Sequence, residues 1–229
     1  GTSYKDGLPV ADKLVHALRY TLILSVGSLA VSLIAALPLS VISAVKKDGL
    51  LDNVVRFLSF IGNSLPNFLI SVLLMYFFCI RTKLLPVIAE ENLKGLIMPC
   101  LALAIPMCSR FIRQFRAEIL EQLGRDYVLG ARARGVNSLT ILFKNVLHNA
   151  MIPILTIIAL SVGTLLGGSV VVETIFRWPG LGKLVMDSIS VRDYPVIQGF
   201  VIFTSCVYVL INLAADICYR RLDPRVEEM

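Results

Sequence analysis

Charged side chains are scarce in this sequence: they make up 17% of its residues, while 56% are hydrophobic and the mean hydropathy is +0.78. A soluble domain of 229 residues would carry more charge and shorter apolar runs. The basic residues that are present are not interleaved with aromatic ones, which argues against a nucleic-acid-binding surface. The scarcity of charge therefore indicates a membrane protein.

Chemically reactive residues are also sparse. The two histidines, His16 and His148, lie far apart in the sequence, and the five cysteines form no Cys-x-x-Cys pair. This pattern supports neither a disulfide framework nor a metal site. No Ser/His pair, His-Glu-x-x-His run or carboxylate pair lies within an apolar run, as an intramembrane enzyme would require. We therefore expect no catalytic and no metal-binding residues in this chain.

The sequence contains long apolar runs without charged residues. A helix needs about 20 apolar residues to cross about 30 Å of hydrocarbon. Four stretches reach that length and a fifth, shorter one continues apolar beyond its end; they are Tyr20–Val45, Phe57–Ile80, Gly95–Ser109, Asn149–Val172 and Tyr194–Ala215. The runs lack the two-residue alternation of transmembrane strands. We predict an all-α membrane protein, a polytopic bundle of about five transmembrane helices, with a kink at Pro66 in the second.

The distribution of basic residues predicts the orientation. Lysine and arginine are in excess after the first and the third predicted spans, whereas the Glu173–Pro195 link is balanced. Positively charged links stay in the cytoplasm, so these two links and the C-terminus are expected to face inward. The predicted organisation is an extracellular segment (1–19), a transmembrane domain (20–218) that contains a cytoplasmic region (117–148), and a cytoplasmic tail (219–229).

The cytoplasmic region is predicted to be ordered. Ala117–Leu123 continues the third span as a helix, and a short helix follows over Tyr127–Arg134. Asp126 is a suitable N-cap for that short helix, and Gly135 is placed to end it. Ser138 is the predicted cap of the next helix, which is amphipathic and leads into the fourth span.

The short helix combines small and basic residues. Gly130, Ala131 and Ala133 would let a partner backbone approach closely. Arg132 and Arg134 could donate hydrogen bonds to acidic or carbonyl groups of that partner. A solvated basic loop that only sets the topology explains the same residues slightly better, so the residues alone leave both interpretations open.

Several segments together resemble one transporter family. The first is Asp126–Gly135 followed by Asn149–Pro153, and the second is Gly167–Gly182, with sequence GGSVVVETIFRWPGLG. Three shorter segments extend the match: Ser64–Phe68, Asp193–Gly199 and Leu222–Arg225. The chain resembles, over its whole length, the permeases of binding-protein-dependent ABC importers, and more narrowly the first permease subunit of the dipeptide/oligopeptide/nickel permease family.

The resemblance implies a type I ABC importer permease fold in a bacterial or archaeal cytoplasmic membrane. Family members usually carry one more N-terminal span, so we expect this chain to lack that helix. The implied partners are a second permease subunit, two cytoplasmic ATPase subunits that bind ATP and Mg²⁺, an extracytoplasmic substrate-binding protein and membrane lipid. The chain itself would be no enzyme and would bind no cofactor.

The resemblance also implies roles for individual residues. The short cytoplasmic helix would be the coupling helix, which docks on an ATPase. Its residues are Tyr127, Val128, Gly130, Ala131, Arg132, Ala133, Arg134 and Gly135. The wider importer signature begins with a glutamate followed by small residues, but Leu129 and Gly130 stand there, so any contact of that acid is absent.

Two further groups of residues are candidates for function. Asn63, Ser64 and Asn67 are polar residues inside the second span, where they either line the translocation pathway or hydrogen-bond to neighbouring helices. Glu173, Arg177 and Trp178 begin the link that is expected to face outward, so they are candidate contacts with the binding protein.

The substrate cannot be read from these residues. Peptide import is the favoured interpretation, and import of nickel or a metal chelate by the same kind of complex is the alternative. A secondary transporter is a second alternative, but it would need inverted repeats or an acid in the middle of the membrane, and neither is visible.

Overall fold

The computed structural model describes residues 1–86 and 93–222, which form nine α-helices and no β-strand. Two π-helical segments adjoin these helices: Tyr76–Arg81 extends α3, and Ile141–Val146 joins α6 to α7. The helices are α1 (Val10–Val45), α2 (Leu50–Ser64), α3 (Asn67–Met75), α4 (Leu93–Leu123), α5 (Asp126–Ala133), α6 (Ser138–Thr140), α7 (Leu147–Phe176), α8 (Leu181–Ser190) and α9 (Tyr194–Leu222). The predicted all-α class is confirmed, and the last residues of the predicted tail (223–229) lie outside the described residues.

Four helical segments are long and apolar enough to cross a membrane alone: α1, Lys94–Leu123 of α4, Ser138–Leu165 across α6 and α7, and Tyr194–Leu213 of α9. The pair α2 and α3 passes the same test only together, with a bend of 99° between them. Counting this pair as one span gives the predicted five. The second span is therefore a broken helix rather than the continuous helix expected over Phe57–Ile80.

The break in the second span has a local cause. Leu65 has an extended backbone (φ −83°, ψ 126°), which is the conformation that a residue before proline prefers. Pro66 is extended as well, and α3 begins immediately after it at Asn67. The kink predicted at Pro66 is thus present, and it is a complete interruption of the helix. Pro38, Pro99, Pro106 and Pro153, by contrast, lie inside continuous helices.

Helix α1 begins at Val10, well before the start of its predicted apolar run. Val10, Leu14 and Ala17 follow one helical face and pack in one core cluster with Leu181 of α8 and Val196 of α9. About half of the segment 1–19, predicted as a segment apart from the first span, is therefore part of that helix. The charges of this segment end the uncharged run but do not end the helix.

Helix α4 is the centre of the bundle. It contacts α1, α2, α3 and α7, and most of its apolar length is buried, whereas few residues of Tyr194–Leu213 in α9 are buried. Phe111, Phe115 and Ile119 are completely buried, and the two phenylalanine rings stack with their centroids 5.1 Å apart. These residues belong to the main core cluster, which also includes Ala44 near the end of α1.

The face of α1 that packs inward is lined by small polar residues. Its buried members recur every three or four residues and include Ser25, Ser28, Ser32, Ser40 and Ser43. The hydroxyl of Ser28 donates to the carbonyl of Leu24 at 2.7 Å, and that of Ser32 donates to the carbonyls of Ser28 and of Ala104 on α4. Small side chains of this kind let two helices approach closely in a membrane.

Candidate functional site

The predicted coupling helix is observed as α5, with its start shifted by one residue. Asp126 is the first residue of the helix, and the extended Arg125 occupies the N-cap without a side-chain hydrogen bond. Asp126 therefore does not act as the cap, although a carboxylate in the first turn still stabilises the helix dipole.

The end of α5 is as predicted. Gly135 has a φ of +76°, and its amide donates to the carbonyl of Arg132 at 2.9 Å while the next amide, of Val136, donates to that of Ala131 at 3.1 Å. These two bonds form a Schellman motif, which requires a left-handed residue at this place. The next helix, α6, is capped by the side chain of Asn137, which accepts from the amide of Leu139 at 2.9 Å, and not by Ser138 as expected.

Helix α5 has a buried and an exposed side. Val128 and Ala131 are 0% and 3% exposed and lie in the main core cluster. Ala131 therefore packs inward and is not one of the small residues that a partner could approach. The hydroxyl of Tyr127 donates to the side chain of Gln122 at 3.0 Å. The exposed residues are Asp126, Leu129, Arg132, Ala133, Arg134 and Gly135, with Gly130 half-buried between the two sides.

Sequence reasoning did not include Leu129 in this surface. Its side chain is 59% exposed, and it stands where the wider importer signature has its glutamate. An exposed leucine beside exposed arginines combines apolar and cationic contacts on one side of a short helix. Such a combination is suited to a protein partner.

The break between α2 and α3 lies beside a cavity of about 170 Å³. Asn63 and Asn67, from the two sides of the break, both line it, so the structure brings these two predicted pathway residues together. Ser64 does not line the cavity, and its hydroxyl donates to the carbonyl of Phe60 at 2.8 Å. The remaining lining residues are Leu103, Pro106, Met107, Arg110, Thr164 and Leu165.

Glu173 lies at the end of α7 and is completely buried. Its carboxylate accepts hydrogen bonds from the hydroxyl of Thr21 at 2.9 Å and from the amides of Gly182 at 2.7 Å and Lys183 at 3.3 Å. The hydroxyl of Thr21 accepts in turn from the amide of Leu181 at 2.8 Å. Glu173 therefore joins α1, α7 and the start of α8. Its side chain is not available to a binding protein, which corrects the prediction for this residue.

Trp178 is buried as well. Its indole N–H donates to the backbone carbonyl of Tyr20 at 3.0 Å. The rings of Trp178 and Tyr20 also pack edge to face, with their centroids 5.7 Å apart. The predicted direct contact of Trp178 with a binding protein is therefore also corrected. Of this group only Arg177 has an exposed side chain, and its left-handed backbone (φ 57°) ends α7. The prediction placed all three residues in a loop because the uncharged run stops at Glu173.

A second buried acid joins the other end of α1 to α2 and α4. Asp52 is 0% exposed and accepts from Nε and Nη2 of Arg116 at 2.8 and 2.6 Å, from the hydroxyl of Ser43 and from the amide of Asp48 at 2.9 Å. Sequence reasoning counted Arg116 only as a topology signal. Asp52 and Arg116 lie 64 residues apart in the sequence, so no local sequence pattern predicts that they form a pair.

Glu173 and Asp52 each hydrogen-bond to other helices, and they do not lie in one common site. Across residues 1–86 and 93–222, no three His, Cys, Asp or Glu side chains come together as metal ligands would. The two ends of α1 mark opposite ends of the bundle. Ala44 shares a core cluster with α5, and Val10 shares one with α8. The exposed side of α5 and the helix α8 therefore lie at opposite ends of the bundle.

The fold matches solved structures of ABC transporters. The MetNI methionine ABC transporter in an inward-facing conformation aligns with a TM-score of 0.75 and 18% identity over 92% of this chain and 96% of that chain. A crystal structure of an amino acid ABC transporter with histidines also aligns with a TM-score of 0.75, at 16% identity over 92% and 94%. The predicted type I ABC importer permease fold is confirmed.

Other proteins are more similar to this chain in sequence than these solved structures are. The chain is 38% identical to the probable peptide ABC transporter permease protein y4tP of Sinorhizobium fredii, over 99% of this chain and 75% of that protein. It is 37% identical to the glutathione transport system permease protein GsiC of Pectobacterium atrosepticum and 36% identical to that of Escherichia coli K12, over 99% of this chain and 74% of each relative. The family profile "Binding-protein-dependent transport system inner membrane component" matches residues 36–228. The chain therefore belongs to the family of inner-membrane components of binding-protein-dependent transport systems.

Proposed function

We propose that this chain is a permease subunit of an ATP-driven importer that carries peptides across the cytoplasmic membrane. The observation that carries the proposal is the match over 99% of the chain to relatives named as peptide and glutathione permeases. Transport would proceed by alternating access, in which the bundle opens first to one side of the membrane and then to the other. The complex would contain a second permease, two ATPases and an extracytoplasmic binding protein.

We propose α5 as the coupling helix. Its buried residues Val128 and Ala131 tie it to the core around α4, while Leu129, Arg132 and Arg134 are free to contact an ATPase. Close-packed protein interiors transmit strain. Movement of the ATPases on binding ATP and Mg²⁺ would therefore reach the spans through α5.

The opposite end of the bundle would face outward and receive the binding protein. The excess of basic residues near α5 supports a cytoplasmic position for that helix, which leaves α8 and the N-terminus outside and the C-terminus inside. Arg177 supports a contact there, because it is an exposed cation beside the start of α8. Glu173 and Trp178 would act indirectly, by holding α8 in place for that contact.

The test compares Gly135→Trp with Gly7→Trp. Both glycines have a positive φ, +76° and +71°, and a Cβ added at either would meet no atom within 4 Å, so the two substitutions impose a similar strain. They differ in position, because Gly135 ends α5 whereas Gly7 precedes α1 at the other end of the bundle. We expect Gly135→Trp to abolish substrate-stimulated ATP hydrolysis of the reconstituted complex and Gly7→Trp to preserve coupling to the ATPases.

The same preparation decides between the alternatives. Uptake of a tripeptide that requires ATP supports peptide import, whereas uptake of nickel or a nickel chelate without peptide uptake would establish the alternative substrate. If the chain purifies without ATPases, or if uptake continues without ATP, the importer proposal is wrong and a secondary transporter replaces it.

A further inference from the structure

Arg110 is a half-buried cation inside the bundle. It lies on α4 between the buried residues Met107 and Phe111 and lines the 170 Å³ cavity beside the break in the second span. The ion pairs of the described residues all involve other cations, namely Lys13, Arg116, Arg125 and Lys183. A guanidinium within a spanning segment is costly and usually marks a functional site.

The lining of this cavity is suited to an anion. Asn63 and Asn67 offer amide donors from the two sides of the break. Helix α3 begins at Asn67 with no side-chain cap, so its positive dipole end lies at the same break. No acidic side chain is among the described residues that line the cavity.

We propose that Arg110 binds the carboxylate of the transported substrate, with Asn63 and Asn67 as further hydrogen-bond donors. This inference rests on the proposed function and narrows it to peptides or peptide-like molecules that carry a free carboxylate. A guanidinium can bind a carboxylate through two parallel hydrogen bonds, which gives direction as well as affinity. A cavity of about 170 Å³ holds one end of a peptide, so the rest of the substrate lies elsewhere in the pathway.

Neighbouring arginines on α4 have different surroundings and provide the control. Arg116 forms an ion pair with Asp52, so its positive charge already has a partner. Arg113 is exposed and lines a wider groove of about 510 Å³ with Arg56 and two phenylalanines. Arg113→Gln thus removes the same charge from the same helix without touching the cavity of Arg110.

The experiment uses the complete complex in proteoliposomes, with its binding protein loaded to saturation with trialanine or with trialanine amide. The two peptides differ only in the carboxylate. We expect the wild type to import the acid about 10 to 100 times faster than the amide, the range that one hydrogen bond to a charged group confers. In Arg110→Gln the ratio of the two rates should fall to near one, while Arg113→Gln should keep the wild-type ratio.

A second variant leaves Arg110 in place. Asn67→Asp puts a competing carboxylate in the cavity, so the preference for the acid should again be lost, and Arg110→Lys should retain part of it. An unchanged ratio in Arg110→Gln, equal slowing of both peptides, or loss of the second permease subunit from that variant would overturn the inference. Failure of the wild type to import either peptide would instead overturn the proposed function.

Discussion

Replacing Glu173 by alanine should weaken the attachment of α8 to the bundle. The carboxylate accepts from the hydroxyl of Thr21 and from the amides of Gly182 and Lys183, and its loss leaves all three donors without this acceptor. Each stranded buried donor costs about 1–3 kcal/mol. The bond from Lys183 is long at 3.3 Å, so we count only the other two donors in full and expect a total of about 4 kcal/mol.

Glu173→Gln should cost less, about 1–2 kcal/mol, because its amide oxygen can still accept from Gly182. Its amino group would face the hydroxyl of Thr21, which already accepts from the amide of Leu181. The graded order alanine, glutamine, wild type therefore separates lost hydrogen bonds from a general effect of substitution at this position.

Trp178 reports on this region directly, since it is the only tryptophan of the chain and is 3% exposed. Unfolding of the purified chain in detergent, followed by Trp178 fluorescence, measures the free energy of unfolding for each variant. Asp187→Ala is the control: its ion pair with Lys183 on α8 is partly exposed, and such pairs contribute about 0.5 kcal/mol. If Glu173→Ala stays within the range of that control and the fluorescence is unchanged, the carboxylate does not hold α8 and our reasoning fails.

Three further predictions concern other contacts of the fold. Gly182→Ala should cost about 1–3 kcal/mol in the same fluorescence assay, because its Cβ would lie 2.4 Å from a backbone atom of α7. Asp52→Asn should cost about 3 kcal/mol, because Arg116 loses its buried partner, and a double-mutant cycle with Arg116→Gln should show less than additive loss of thermal stability. Burial raises the pKa of Asp193, but hydrogen bonds from Ser3 and nearby amides outweigh burial and set the pKa below its ordinary 3.8. The stability from Asp193 is therefore present above pH 3.8 and lost as the pH falls further. The hydrogen-exchange protection factors of the N-terminal turn, which are corrected for the intrinsic effect of pH, should fall there in the wild type and fall less in Asp193→Asn, where only Asp6 still titrates in this turn.

The number and the order of the membrane spans could be predicted because apolar length is a sufficient signal in a membrane, with the broken pair α2 and α3 counted as one span. Helix α9 begins at Tyr194 as predicted, and α4 and α7 begin at Leu93 and Leu147, close to the predicted starts of their apolar runs. The end of α5 could be predicted as well, since Gly135 supplies the left-handed residue that a helix end favours.

The contacts between distant residues could not be predicted in the same way. The predicted fourth span ended before Glu173 because this residue is charged. In the structure Glu173 is still part of α7 and is buried, because three donors hydrogen-bond to its carboxylate. The pairing of Asp52 with Arg116 joins residues far apart in the sequence, so no local pattern contains it. The cavity at Arg110 arises from the angle of the break at Pro66, and a proline predicts a bend without its size or direction.

The serine-lined face of α1 affects how the chain enters the membrane during synthesis. Helix α1 is translated well before α4, so it must remain in the lipid for a time without the helix that it later contacts most. The hydroxyls of Ser28 and Ser32 donate to carbonyls of α1 itself, so these hydroxyls are hydrogen-bonded before α4 enters the membrane. When α4 emerges, the same small side chains allow it to dock, and Ser32 adds its bond to Ala104. Larger apolar residues at these positions would favour insertion of α1 but would prevent its close approach to α4.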